Sequence, residues 1–197
     1  RPQKYLLTVT RLVRHKGVHY LIDAWQTARQ QNPELLNGYK LVVVGDSTFT
    51  DEYVRELKEM ARGEDSIIFT GWQNGRSLAE LFHNAVMMVH PSENEGLSLA
   101  VLRAMSLGKA VLVSDISEQK ELITDYRFWF ANTNIDSLSH KIVENLRHPE
   151  WMAEAGAKNK ILAEKKYNWV NIAKQTEQIY TTAMNKESFK TLQTANV

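Results

Sequence analysis

The 197 residues contain no cysteine. That excludes a disulfide framework, a thiolate metal site and a thiol nucleophile, and it is compatible with a reducing compartment. No large excess of either charge is present: 24 Lys and Arg stand against 23 Asp and Glu, for a formal net charge of +1. A global field that would recruit nucleic acid or an anionic membrane is therefore absent. The apolar runs fall far short of the roughly 20 residues that cross a bilayer, and no charged-then-apolar signal segment opens the chain. A soluble, cytoplasmic protein is expected, at most peripheral to a membrane through some other domain. Internal repeats and low-complexity linkers are lacking too. The chain opens at Arg1-Pro2 without Met, read here as a piece of something longer, with processing as the alternative.

What is present is an alternation. The segments 5–10 (YLLTVT), 40–45 (KLVVVG), 66–71 (SIIFTG), 87–91 (MMVHP) and 110–115 (AVLVSD) are short and mostly continuous in apolar character, as strands buried on both faces are. FWFA (128–131) reads as a sixth strand. Helical spacing links Val18, Leu21, Ile22, Trp25 and Ala28 before Asn32-Pro33, then Tyr53, Leu57 and Met60 before Gly63, then Leu97, Val101, Leu102 and Met105 before Gly108. Such alternation predicts an α/β fold: a Rossmann-like, doubly wound parallel sheet of about six strands. After Asn132 the pattern is helical only, over 135–146, 149–166 and 169–184, with Pro149 suited to a first helical turn. The domain is placed at 1–184, and the polar 185–197 as a frayed tail.

In a sheet of this kind the ligand site lies beyond the carboxyl ends of the strands, where strand order reverses. The first strand ends in TRLVRHKG (10–17), which sets Arg11, Arg14, His15 and Lys16 at the start of a helix. Cations are electrostatically misplaced there, because that end of a helix is already positive. An anionic ligand would resolve the conflict; a solvated basic turn is the plain alternative. The glycines of a dinucleotide or Walker loop are missing, which argues against NAD and ATP. The fourth strand ends in His90-Pro91 and runs into SENEG (92–96). Glu93 or Glu95 could cap the following helix. In a functional reading Gly96 lets a ligand approach, the amides of Leu97, Ser98 and Leu99 face a phosphate, and Glu95 accepts from hydroxyls. His83 and His90 are acid/base candidates because His titrates near neutrality, but each sits on an apolar element, where a hydrogen-bonded core or rim imidazole is the commoner outcome; Met87 and Met88 are strand filling.

EGLSLAVLRAMSLGKAVLVSD (95–115) resembles the donor-site segment of the group 1 (family 4) glycosyltransferases of the GT-B fold. VTRLVRHKGVHYLIDAW (9–25) resembles the diphosphate loop of that family, and LVVVGD, IIFTGW and YNWVNIAKQTEQIY fall in family order, so that nearly the whole chain is covered. The resemblance implies the C-terminal, nucleotide-sugar-binding half of a two-domain enzyme, whose N-terminal acceptor domain is absent. It implies transfer of a sugar, with retention, from a nucleoside diphosphate donor to a hydroxyl acceptor. Arg11, Lys16 and Glu95 become the catalytic candidates, the first two on the leaving diphosphate and Glu95 on the sugar. Gly96, Leu97, Ser98 and Leu99 would offer backbone amides, and the loop from Trp72 to Gly75 would lie beside the base. Trp72 itself is read as a packing residue, with stacking as the alternative. Cations in the role of Mg²⁺ imply that neither metal nor cofactor is needed beyond the nucleotide sugar. The helix around Tyr167 to Tyr180 would pack across the interdomain junction, leaving an apolar face exposed in this chain.

One position departs from the family pattern. Eight residues after Glu95 the pattern has a second Glu that accepts from ribose hydroxyls, and here stands Arg103. A guanidinium only donates, so ribose recognition is expected to be weakened. A non-catalytic nucleotide-sugar-binding module stays open as a reading, as does another GT-B chemistry such as a sugar-nucleotide epimerase. A phosphorylase would normally need a pyridoxal-phosphate lysine, which nothing here identifies.

Overall fold

The computed structural model describes residues 4–47 and 51–194, the last ten by backbone alone. Strands β1 (Tyr5–Val9), β2 (Lys40–Val44), β3 (Ile67–Gly71), β4 (Met87–His90), β5 (Val111–Ser114) and β6 (Trp129–Phe130) form one sheet in the order 3-2-1-4-5-6. Every pairing is parallel, Tyr5 opposite Lys40 and Leu6 opposite Met87. The helices are α1 (Val18–Gln31), α2 (Asp51–Met60), α3 (Gly75–Asn84), α4 (Leu99–Ser106), α5 (Ser117–Leu122), α6 (Ile135–Arg147), α7 (Pro149–Lys166) and α8 (Trp169–Thr194). Right-handed crossovers that run outward in both directions from the β1/β4 pair put α1 and α4 on opposite faces. On one side α1 packs against α2 and α6; on the other, α4 packs against α7. This is the doubly wound sheet that the alternation predicts. Among the described residues no helix is long and apolar enough to cross a membrane.

The continuous apolar runs are explained by this two-sided cover. Leu6, Leu7, Val43, Met87, Val89, Val111, Leu112 and Val113 are all fully buried, in keeping with Met87 as strand filling. SIIFTG is the exception. As β3 it forms one edge of the sheet, and Ile68 remains 41% exposed. At the C-terminus, α8 continues through Thr194 where a frayed tail from residue 185 is expected. No Gly or Pro occurs after Gly156 to stop the helix; residues 195–197 lie outside the described residues. On α8, Trp169, Val170, Ile179, Tyr180 and Met184 are exposed.

What positions the functional end of the sheet is the crossing of two loops. Gly17 (φ +67°) passes so close to the loop after β4 that a Cβ on it would lie 2.0 Å from the carbonyl oxygen of Pro91. The His15 carbonyl accepts from the Glu93 amide at 2.8 Å and from Ser92 Oγ at 3.2 Å. Gly45 makes the equivalent approach between the β2 and β1 loops, where a Cβ would lie 1.9 Å from the Thr10 carbonyl oxygen. These contacts clamp the end of β1 between the ends of β2 and β4. Gly96 differs, because a Cβ there would meet nothing within 4 Å.

Gly17→Ala should therefore cost roughly 1–3 kcal/mol from backbone strain alone, and more from the displaced Pro91. Gly96→Ala should stay within about 0.5 kcal/mol of the parent. Urea denaturation of the two variants checks this, and equal losses would contradict the crossing as the site's mechanical base.

Candidate functional site

Strand order reverses between β1 and β4, and a cavity of about 590 Å³ opens beyond their carboxyl ends. Its walls come from the β1 loop (Arg11, Lys16), the β3 loop (Trp72 to Gly75), the end of β4 (His90, Glu95) and the start of α4 (Leu97 to Ala100, and Arg103). Three loops far apart in sequence thus meet where the topology predicts. Gly96 lies between two lining residues without itself lining the cavity.

At the centre is a carboxylate with two donors. Glu95 Oε1 accepts from Lys16 Nζ at 2.7 Å and from His90 Nε2 at 2.6 Å. Oε2 accepts no hydrogen bond among the described residues. The side chains of Lys16 and Glu95 are only 11% and 9% exposed, so the pair is largely removed from solvent. Burial alone would raise the Glu95 pKa, but the His90 and Lys16 hydrogen bonds outweigh it and hold the carboxyl at about 2. Breaking such a pair from one side leaves a buried charge uncompensated.

The basic turn after β1 is thus only partly a vacancy for an outside anion. Arg14 pairs with Glu56 and lies over the Tyr53 ring, and Lys16 pairs with Glu95. Arg11 is exposed on the cavity wall and makes no ion pair among the described residues. The capping role considered for Glu93 or Glu95 falls to Ser98, whose Oγ accepts from the Val101 amide at 3.4 Å. Ser98 directly precedes the first helical residue, whereas Glu95 is held upstream by Lys16.

Two further expectations are corrected. Trp72 is 68% exposed and lines the cavity instead of packing; it follows an edge strand, and among the described residues no element covers it. Leu97 and Leu99 are also exposed, at 53% and 61%, which gives the cavity an apolar rim. His90 is the hydrogen-bonded core imidazole that its place on an apolar strand suggests, 2% exposed, and its partner is Glu95. A titratable residue at the carboxyl end of a central strand, at the switch point, was the signal for it. His83, read as sitting on an apolar element, is exposed on α3, outside this cluster.

Arg103 lies one helical turn beyond Leu99 on the same face of α4. Its guanidinium sits 5.4 Å from the centre of the Phe82 ring on α3. It lines the cavity and makes no ion pair among the described residues. A larger hollow, about 750 Å³, lies between the end of α1 and α6, at the opposite end of the sheet. Within its lining Arg147 donates to Asn32 at 2.8 Å and Lys141 to Glu144 at 2.7 Å.

A Rossmann-like parallel sheet with a carboxylate-bearing cleft at its switch point matches structures of the GT-B fold. The chain belongs to the family described as Glycosyl transferases group 1, whose sequence pattern matches residues 1–181. It is 30% identical over 189 residues to an uncharacterized glycosyltransferase of Methanocaldococcus jannaschii, covering 92% of this chain and 46% of that protein. It is 28% identical over 182 residues to the O-antigen chain mannosyltransferase B of Escherichia coli, covering 90% and 46%. The chain therefore spans about half the length of these relatives. The structure of Anabaena HepE in complex with UDP-glucose superimposes with a TM-score of 0.81 at 22% identity, over 91% of this chain and 49% of that one.

The depressed Glu95 pKa carries a sign. A carboxylate held at about 2 against an ordinary 4.5 contributes stability that is fully present above its unfolded value and lost as pH falls through the folded one. Glu95→Gln should lower stability at neutral pH, and the gap from the parent should narrow progressively as pH falls from 4.5 towards 2. Urea unfolding across that range measures it; a gap that does not change with pH would remove Glu95 from the ion pair.

Proposed function

We propose that the chain is the donor-binding half of a glycosyltransferase that moves a sugar from a nucleoside diphosphate sugar to a hydroxyl acceptor, with retention at the anomeric carbon. The observation that carries the reading is the Lys16–Glu95–His90 cluster, with Arg11 beside it, at the switch point of the sheet. One side of the cluster offers cations for a diphosphate, and the other offers the unspent Oε2 of Glu95 for sugar hydroxyls. HepE is described in complex with UDP-glucose and the E. coli relative is named a mannosyltransferase, so both donor classes fit the reading. The acceptor is held by a domain outside this chain, in line with relatives about twice as long.

As the bond from the anomeric carbon to the diphosphate breaks, its electron pair stays on the leaving oxygen while the sugar becomes cation-like. Arg11 and Lys16 then face more negative charge in the transition state than in the ground state, which is the condition for acceleration. They supply the charge that a divalent metal would otherwise bring. Lys16 exchanges Glu95 for phosphate as donor binds, and Glu95 is left to the sugar. The amides of Leu97 to Leu99 add partial positive charge at the start of α4, and exposed Trp72 supplies a face on which a base stacks.

Lys16→Ala should weaken nucleoside diphosphate binding by about 1.5–3 kcal/mol while leaving the bare nucleoside nearly unaffected. Glu95→Gln should lower affinity for the nucleotide sugar more than for the free diphosphate. Calorimetry with UDP, GDP and ADP and their sugars tests both, and parallel losses for every ligand would contradict the assignment.

Arg103 leaves the ribose without an acceptor on α4. Arg103→Glu should tighten nucleoside diphosphate binding on the order of tenfold, the worth of one charged hydrogen bond. Unchanged or weaker binding would make Arg103 neutral or a ligand contact in its own right.

A further inference from the structure

Glu95 can serve a sugar only if it stays in place when Lys16 leaves it. Both donors use Oε1, so a diphosphate that draws Lys16 away removes one of the two bonds that hold the carboxylate. The other bond belongs to His90, which differs from Lys16 in every respect that matters here. Its side chain is 3% exposed. It is the last residue of β4, paired with Val113 of β5, so the sheet fixes its backbone. A carboxylate only accepts, so Nε2 carries the proton towards Glu95, while Nδ1 is buried with no hydrogen-bond partner among the described residues. Ser98 Oγ lies 3.3 Å from the same Nε2, and the same hydroxyl caps α4.

We propose, on the donor-site reading above, that His90 is the positioning residue of this site. One buried imidazole nitrogen holds Glu95 with Oε2 turned to the cavity and keys it to the N-terminus of α4, so the carboxylate keeps its aim after Lys16 turns to the diphosphate. His90 acts through Glu95 and touches no reacting atom. Its removal therefore affects recognition of the sugar and leaves recognition of the diphosphate alone.

The test uses the whole chain with three ligand pairs: UDP-glucose and UDP, GDP-mannose and GDP, ADP-glucose and ADP. The pair that binds tightest is carried forward. His90→Phe should weaken the nucleotide sugar about tenfold and its diphosphate less than twofold, and His90→Gln, which still donates, should recover most of the loss. In a double-mutant cycle, His90→Phe added to Glu95→Gln should cost the nucleotide sugar nothing further. Equal losses for both ligands, or additive losses in the cycle, overturn the proposal and leave the site reading standing. Failure of every pair to bind the parent chain overturns both. Should His90→Phe not fold, nitrogen-15 correlations of the His90 ring in the parent decide the matter. A proton on Nε2 whose signal moves in Glu95→Gln is the expected result, and a proton on Nδ1 alone overturns it.

Discussion

The close passage of Gly17 over the Pro91 carbonyl is the constraint on which the rest of the site depends. A parallel sheet alone delivers its loops to one edge, without fixing how they meet. Here backbone meets backbone with no room for a Cβ, and the His15 carbonyl takes two hydrogen bonds from the opposite loop. Lys16, next to this crossing, is carried onto Glu95 across 79 positions of sequence. A flexible side chain is thereby pre-placed, its ordering already achieved by folding, so that binding need not order it again.

The electrostatics follow from that placement. A carboxylate, an ammonium and an imidazole, each largely buried, share one cluster, and the carboxylate is pulled to about 2 against its own desolvation. Such a cluster is costly to build for stability alone, since apolar residues of similar volume would often serve as well. In the proposed function its use lies in exchange: an incoming anion would replace Glu95 as the partner of Lys16 and free a carboxylate to read the remainder of the ligand. The apolar rim of Trp72, Leu97 and Leu99, each more than half exposed, surrounds the same opening.

Much of the fold was legible because its signals are local. Continuous β-rich runs such as KLVVVG become central strands, and the spacing of Val18, Leu21, Ile22 and Trp25 becomes the buried face of α1. Edge or centre is not a local property, so Ile68 was misread as covered on both sides. Polar residues without a cap look like a stop after residue 184, although neither Gly nor Pro is there to end the helix. In the site, Arg11, Lys16, Glu95 and the α4 start were found through their motifs and come together around one cavity. Trp72 was taken for packing because exposure of a large aromatic depends on which elements pass over it. His90 is the hydrogen-bonded buried imidazole its strand suggests, but an apolar strand hides which partner its last side chain meets, here a carboxylate five residues on.

The central claim is that the cleft between the β1 and β4 loops is the nucleotide-sugar site. Chemical-shift mapping of the labelled chain, titrated with UDP-, GDP- and ADP-sugars in turn, tests it most directly. The account predicts that at least one donor shifts the amides of residues 10–17, 72–75 and 90–103 together, with the α1–α6 hollow silent. Perturbations centred on Asn32, Lys141 and Arg147, or none with any donor, would contradict it.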